Sequence, residues 1–452
     1  MDARKRGRLR PIGKTLPQAM REFLTPTLFR QVRKIGRTRK QPRWDVHALL
    51  YVVLLMTWCT GDSLPEKFEV ARAYCVVCCP KRRRPGKSFS GFEKALHKLS
   101  MPVLRTVAAA LRNRIQIVFG SRLMYQGFIP LGCDGSRHQC ARTEELERRL
   151  GTTGDKNSPS GMPMVWNTSI VHLMLGIPWC WRFGRGSKAS ERIHLMQMIP
   201  LLPKLALIVT DAGYMGYELM VALVKANVFF LFRMSSKGTF YTESQQPFDR
   251  WREGIAYYWP QTIRDAGLPP IRGRLIRIRG RKRKVSVWLF TNVEDQRRLP
   301  VRLASKLYRC RWESEGFFRT YKRTLGKVKF HSRTLRLLHR EVEASMIATQ
   351  LLLCQGALMM PEIPEAGSNE EPAMCSPRKV LLEIRAELRS SKINPDYGQR
   401  LAKAQRERRP RTSPKQKREW PGRKKHKPPK QPKLLKVPDE LKSQIDNYLT
   451  AA

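Results

Sequence analysis

The sequence predicts a mixed α/β fold, with a helical region before it and a basic tail after it. Three observations predict this. Between Gly127 and Met360 short apolar runs alternate with helical patterns, as in a sheet covered by helices. From Trp44 to about Phe119 the apolar residues follow a helical pattern instead. Beyond Ala404 the chain is dominated by Lys, Arg and Pro, a composition that cannot build a core and is expected to be largely disordered.

Residues 1–43 are basic and hold two short helical pieces, Gln18 to Phe23 and Thr27 to Ile35. Ala48 to Trp58 reads as a buried helix; this apolar run is about half the length needed to span a bilayer. Cys75, Cys78 and Cys79 form a CxxCC, but no second pair of ligands follows at zinc-site spacing, so they read as a buried cysteine cluster. A loop dense in Lys and Arg, Pro80 to Lys87, leads to helices at Phe92 to Leu99 and Val103 to Ile117. Residues 1–120 are thus expected to be a basic arm and a helical DNA-binding domain.

The run GFIPLGC reads as a strand ending at Asp134, followed by Gly135 and Ser136. Val165 to Leu175 and Trp179 to Phe183 read as two more strands, and Ser187 to Leu202 as a helix capped by Ser187 or Ser190. The run LALIVT forms a strand ending at Asp211. Gly213 and Gly216 then turn the chain into a helix, Tyr217 to Lys225, before a fifth strand, Val228 to Arg233. Residues 234–300 read as an insertion. In it, Ile271 to Ile278 and Lys284 to Thr291 alternate as the strands of a hairpin around a basic turn, Arg279 to Arg283. Trp251, Tyr257, Tyr258 and Trp259 lie near Arg250 and Arg252 in the same insertion. A long apolar helix, Leu335 to Met360, closes this segment of 127–360. Residues 361–452 begin with a Pro/Glu linker to Pro372, continue as the basic tail and end in a short helix, Pro438 to Leu449, with the makings of a docking element.

The chain has 452 residues, a hydrophobic share of 41% and a formal net charge of +50. Such a charge repels itself unless a polyanion neutralises it, which points to nucleic acid and to binding that weakens steeply with salt. A membrane surface is the competing partner, but no long basic amphipathic helix supports it. Ten scattered cysteines are consistent with reduced thiols and a cytoplasmic protein. No GxxxxGK[ST] loop is present, so no nucleotide cofactor is expected.

The segment YRCRWESEGFFRTYK carries the most chemistry. On a regular helix Tyr308, Arg311, Glu315 and Lys322 fall within roughly 60° of one another. One carboxylate then sits among three groups that bind phosphate or donate hydrogen bonds. Asp134 and Asp211 add carboxylates at the ends of apolar strands, where ligands of α/β sheets collect. Cutting a phosphodiester with two Mg²⁺ ions about 4 Å apart needs a few such hard oxygen ligands.

Tyr308, Arg311, Glu315 and Lys322 match the Y-R-E-K signature, and the chain resembles the DDE insertion-sequence transposases of the Insertion Sequence Four type. Asp134-Gly135-Ser136 is similar to the first-aspartate motif and Asp211-Ala212-Gly213-Tyr214 to the second. The strand and helix order resembles the ribonuclease-H-like fold, and a β-rich insertion before the glutamate is shared too. The resemblance implies that Asp134, Asp211 and Glu315 are catalytic and hold two Mg²⁺ (or Mn²⁺) ions. It implies that Tyr308, Arg311 and Lys322 bind phosphates of double-stranded DNA at the element ends, and that Trp251, or failing it Trp259, stacks on a flipped base. It further implies a homodimer on transposon ends and target DNA, in the bacterial cytoplasm and nucleoid, performing cut-and-paste transposition. The alternatives are a ribonuclease-H-like nuclease without strand transfer, an inactive transposase-derived DNA-binding protein and a basic RNA-packaging or ribosome-associated protein.

Overall fold

The computed structural model describes residues 15–36, 43–79, 84–152, 161–186, 190–244, 246–279, 286–361, 373–390, 392–407 and 431–449. Two compact units divide the chain, one within residues 1–124, 135–189 and 314–406, the other within 125–134, 190–313 and 407–452. Strand β1 (Ile129–Gln139) contributes to both.

The first unit is built around helix Leu335–Leu358, buried along almost its whole length. Thr334 caps it by accepting a hydrogen bond from the Leu337 amide. Helices Val46–Trp58, Phe89–Lys98, Met101–Phe119 and Pro377–Arg389 pack on it. Several buried polar groups in these contacts find partners of their own. The Trp58 indole donates to the Ala348 carbonyl at 3.2 Å, and Arg340 Nε donates to the Leu99 carbonyl at 2.8 Å. The hairpin of β2 (Met164–His172) and β3 (Pro178–Arg185) lies against the same helix. There the Trp181 indole donates to Glu343 at 3.1 Å and Gln350 Nε2 donates to the Pro178 carbonyl at 2.6 Å.

The helices expected in this unit are present, joined by one the sequence reading passed over, Leu64–Cys78. Phe68, Ala71, Tyr74, Cys75 and Cys78 form its buried face, so Cys75 and Cys78 are core thiols. Between the linker and the basic tail the structure adds two helices. Residues 362–372 and 408–430 lie outside the described residues, but helices Pro377–Arg389 and Tyr397–Ala402 lie between them. Val380, Leu381, Ile384 and Leu388 supply an apolar stripe at helical spacing. Arg400 pairs with Glu383, Asp396 and the fully buried Glu387.

The second unit holds β4 (Ala206–Thr210), β5 (Phe229–Arg233), β6 (Thr239–Thr242), β7 (Glu253–Tyr258), β8 (Ile271–Arg279), β9 (Ser286–Thr291) and β10 (Lys433–Lys436). The sheet runs β3-β2-β1-β4-β5-β9-β8-β7-β6-β10. Strands β1, β4 and β5 are parallel, and β5 through β9, β8 and β7 to β6 is antiparallel. The order β3-β2-β1-β4-β5, with a helix Glu191–Met198 after β3 and a helix Tyr217–Lys225 after β4, is the order expected of a ribonuclease-H-like core. The β-rich insertion extends this sheet, because β9 pairs directly with β5. Most of the basic turn expected at Arg279 to Arg283 falls outside the described residues.

Two further differences matter. Strand β1 does not stop at Asp134 but runs through polar residues to Gln139. The C-terminal residues do dock: β10 pairs with β6, and Ile445 enters an apolar cluster with Tyr241, Tyr257 and Trp259. Instead of one helix over Pro438 to Leu449 there is a 3-10 turn, Asp439–Leu441, and a single helical turn, Lys442–Ile445. Among the described residues no helix is long and apolar enough to cross a membrane.

Candidate active site

Strands β1 and β4 pair in parallel with Ile129 beside Ala206 and Gly132 beside Val209. Two residues further along the same register stand Asp134 and Asp211. Neighbouring strands run about 4.8 Å apart, so the register makes these two carboxylates cross-strand neighbours. Buried apolar residues lead into both: Leu131 and Cys133 on β1, and Leu207, Ile208 and Val209 on β4. Both aspartates are half-buried. Asp211 also starts the turn Ala212–Tyr214, accepting a hydrogen bond from the Gly213 amide at 2.9 Å.

A third carboxylate in this unit went unnoticed in the sequence. Glu191 is the first residue of the helix after β3, behind its cap Ser190, whose side chain accepts from the Ile193 amide. Its pKa is raised, first by burial and then by the negative charges of Asp134 and Asp211, while Tyr214 opposes the shift. The Tyr214 hydroxyl is buried, with no hydrogen bond closing at ordinary geometry, and its own pKa is raised well above the usual value, first by burial and then by Cys133 and Glu191. Next to Glu191, Arg192 donates to the Met215 carbonyl at 3.2 Å and fixes the turn after Asp211. The signal in the sequence was a carboxylate directly behind a serine cap, at the N-terminus of the helix following the third strand.

The Tyr308 to Lys322 segment is helical but not one regular helix. Helix Val301–Cys310 ends at Arg311, helix Trp312–Arg319 follows, and Thr320–Thr324 forms a π turn. The helix expected to carry the four signature side chains is thus interrupted at Arg311 and again at the π turn. The π turn widens the spiral just before Lys322. Tyr308 and Arg311 belong to the second unit, where the Arg311 guanidinium lies 5.9 Å from the Tyr308 ring centre and 5.1 Å from that of Trp312. Arg311 is only 7% exposed, whereas Trp312 is 61% exposed. Glu315 and Lys322 belong to the first unit, both half-buried. Burial lowers the pKa of Lys322, and Lys322 in turn helps burial hold His138 down at about 4.

The candidate for stacking on a base is Trp251. It is fully buried in the insertion, its indole donates to the Leu275 carbonyl at 3.0 Å, and Gly254 packs on its ring. Trp259 is buried as well, donating to the Leu268 carbonyl at 2.9 Å. Both follow the ordinary behaviour of a tryptophan in a β domain, ring in the core and N–H paired.

Asp134, Asp211 and Glu191 have the hard-oxygen chemistry that suits Mg²⁺ or Mn²⁺. They are near enough to raise the pKa of Glu191, yet among the described residues no three His, Cys, Asp or Glu side chains converge closely enough to hold an ion as they stand.

No curated protein matches this chain. Among solved structures, the cryo-EM structure of a piggyBac transposase synaptic complex with hairpin DNA is similar at a TM-score of 0.41 and 10% identity, covering 84% of this chain and 80% of that one. Residues 170–351, which include Glu191, Asp211 and Glu315 and begin beyond Asp134, match the family model described as the transposase DDE domain, and that match supports a DDE transposase.

Proposed function

We propose that this protein is a DDE transposase of an insertion sequence, cutting DNA at the element ends and joining the freed strands to a target. One observation supports the reading: Asp134 and Asp211 each follow by two residues the paired Gly132 and Val209 of the parallel strands β1 and β4, inside or beside the segment matching a transposase DDE domain. Asp134, Asp211 and Glu315 are the proposed catalytic carboxylates, with Glu191 a fourth in the same neighbourhood as the two aspartates. Mg²⁺ or Mn²⁺ held by these carboxylates would polarise the scissile phosphate and lower the pKa of an attacking water.

The remaining work falls to side chains. Asp134 and Asp211 present fixed negative charge from rigid strands. Burial and these neighbours favour the protonated form of Glu191, so a cation arriving there relieves the repulsion among the three. Tyr308 and Arg311 offer hydrogen bonds to backbone phosphates, and Lys322 offers a point charge. The net charge of +50 favours any polyanion, and the proposed partner is double-stranded DNA bound by two copies of the chain. Bacterial cytoplasm and nucleoid are where such an element acts.

The test is to incubate the full chain with a fragment carrying the flanks of its coding segment and a target plasmid in Mg²⁺. Joined products are expected. Cleaved ends that never join would favour a nuclease without strand transfer.

A further inference from the structure

The first unit contains a cavity of about 720 Å³, within the roughly 300–1,000 Å³ of ordinary ligand pockets. It opens among the end of helix Val46–Trp58, the start of helix Leu64–Cys78, helix Phe89–Lys98 and the stretch from Arg323 to Glu341. None of its lining residues belongs to the proposed cleavage site.

Its walls are of two kinds. Met56 and Phe89, both half-buried, join Phe92, Leu325 and Leu337 in an apolar surface. Beside it five Lys and Arg side chains stand against three Asp and Glu. One of these carboxylates, Glu341, is already engaged: it accepts from the Ser332 amide at 2.9 Å and the His331 amide at 3.1 Å, and pairs with Lys327 at 3.8 Å. Burial lowers the pKa of Lys327; Glu341 opposes this and Lys67 adds to it, so positive charge is crowded here. A ligand that answers both walls has an anionic group and a flat apolar face. Stacking on an aromatic ring with cations along the backbone is how proteins hold unpaired bases.

We propose that this cavity receives one unpaired nucleotide of a DNA strand, its phosphate drawn to Lys67, Arg323 and Lys327 and its base to the wall that includes Met56 and Phe89. The proposal rests on the transposase reading only in taking DNA as the source of that nucleotide.

The full chain is titrated with a short single-stranded oligonucleotide carrying 2-aminopurine, with competition by a deoxynucleoside monophosphate, inorganic phosphate or a polyglutamate peptide. Quenching of the fluorescent base and competition by the mononucleotide at concentrations where phosphate and peptide have no effect are expected. Phe89→Ala is expected to weaken binding about tenfold, the scale of one lost stacking contact. Lys67→Ala and Arg323→Ala are expected to weaken it too, and Lys67→Arg to restore it. Far-ultraviolet circular dichroism of each variant separates lost binding from lost folding. Unchanged affinity in folded Phe89→Ala, Lys67→Ala and Arg323→Ala overturns the proposal. So does equal competition by inorganic phosphate, which would mark a simple anion site, or by polyglutamate, which would mark an acidic-peptide site. End cleavage by the wild-type chain is scored in parallel: cleavage without cavity-dependent oligonucleotide binding sinks this inference alone, and such binding without cleavage sinks the transposase reading alone.

Discussion

Asp134 on β1 and Asp211, the residue directly after β4, each stand two positions beyond the paired Gly132 and Val209 of these parallel strands. Asp211 has a second task there, accepting the Gly213 amide at the turn into the next helix. Charge and cap are separable by substitution. Asp211→Asn keeps an acceptor and is expected to leave stability within about 0.5 kcal/mol of wild type, whereas Asp211→Ala loses the cap and about 1 kcal/mol. Urea denaturation of both variants measures the difference.

Glu191 interacts with both aspartates, and its raised pKa records their repulsion as well as its burial. Glu191→Gln removes one negative charge from the cluster. The variant is expected to bind Mn²⁺ about 10- to 100-fold more weakly, measured by calorimetric titration. Equal affinity would remove Glu191 from the cation's neighbourhood.

Trp251 is expected to act through folding alone. Trp251→Ala should cost about 3–5 kcal/mol, the range for emptying an aromatic core position, while the folded fraction binds DNA as wild type does. A folded variant with weakened DNA affinity would return Trp251 to the interface.

His172 couples stability to pH. It is fully buried; its Nε2 donates to the Leu123 carbonyl at 2.9 Å and its Nδ1 accepts from the Met174 and Leu175 amides at 3.2 Å each. This arrangement needs the neutral ring, and burial lowers the pKa from 6.5 to about 4. Because the folded pKa lies below the unfolded one, the contribution is complete above pH 6.5 and is lost as the pH falls towards 4, up to roughly 3 kcal/mol. Between pH 7 and pH 5 the unfolding free energy of wild type should drop more than that of His172→Gln.

Much of the fold was legible because the short run LALIVT is almost wholly apolar and stops at Asp211, and because apolar residues recur along all of helix Leu335–Leu358. What was missed had its signal mixed. Strand β1 continues through DGSRHQ, where ladder hydrogen bonds to neighbouring strands outweigh poor strand propensity. Helix Leu64–Cys78 spreads charged residues among its buried ones, which blurs the helical period. The aspartates were visible because each directly follows an apolar run, GFIPLGC or LALIVT. Glu191 was hidden because only the fold brings a helix start beside those strands, and a glutamate behind a serine cap has an ordinary role in the helix itself. The π turn at Thr320–Thr324 left no trace in a pattern read at constant helical pitch.

The most direct measurement is cleavage of DNA bearing the flanks of the coding segment, in Mg²⁺, by wild type beside Asp134→Asn and Asp211→Asn. Cuts at the segment ends are expected with wild type, none in EDTA, and losses of about a thousandfold or more in both variants, with DNA binding retained. Cutting by either folded variant at the wild-type rate would contradict this expectation.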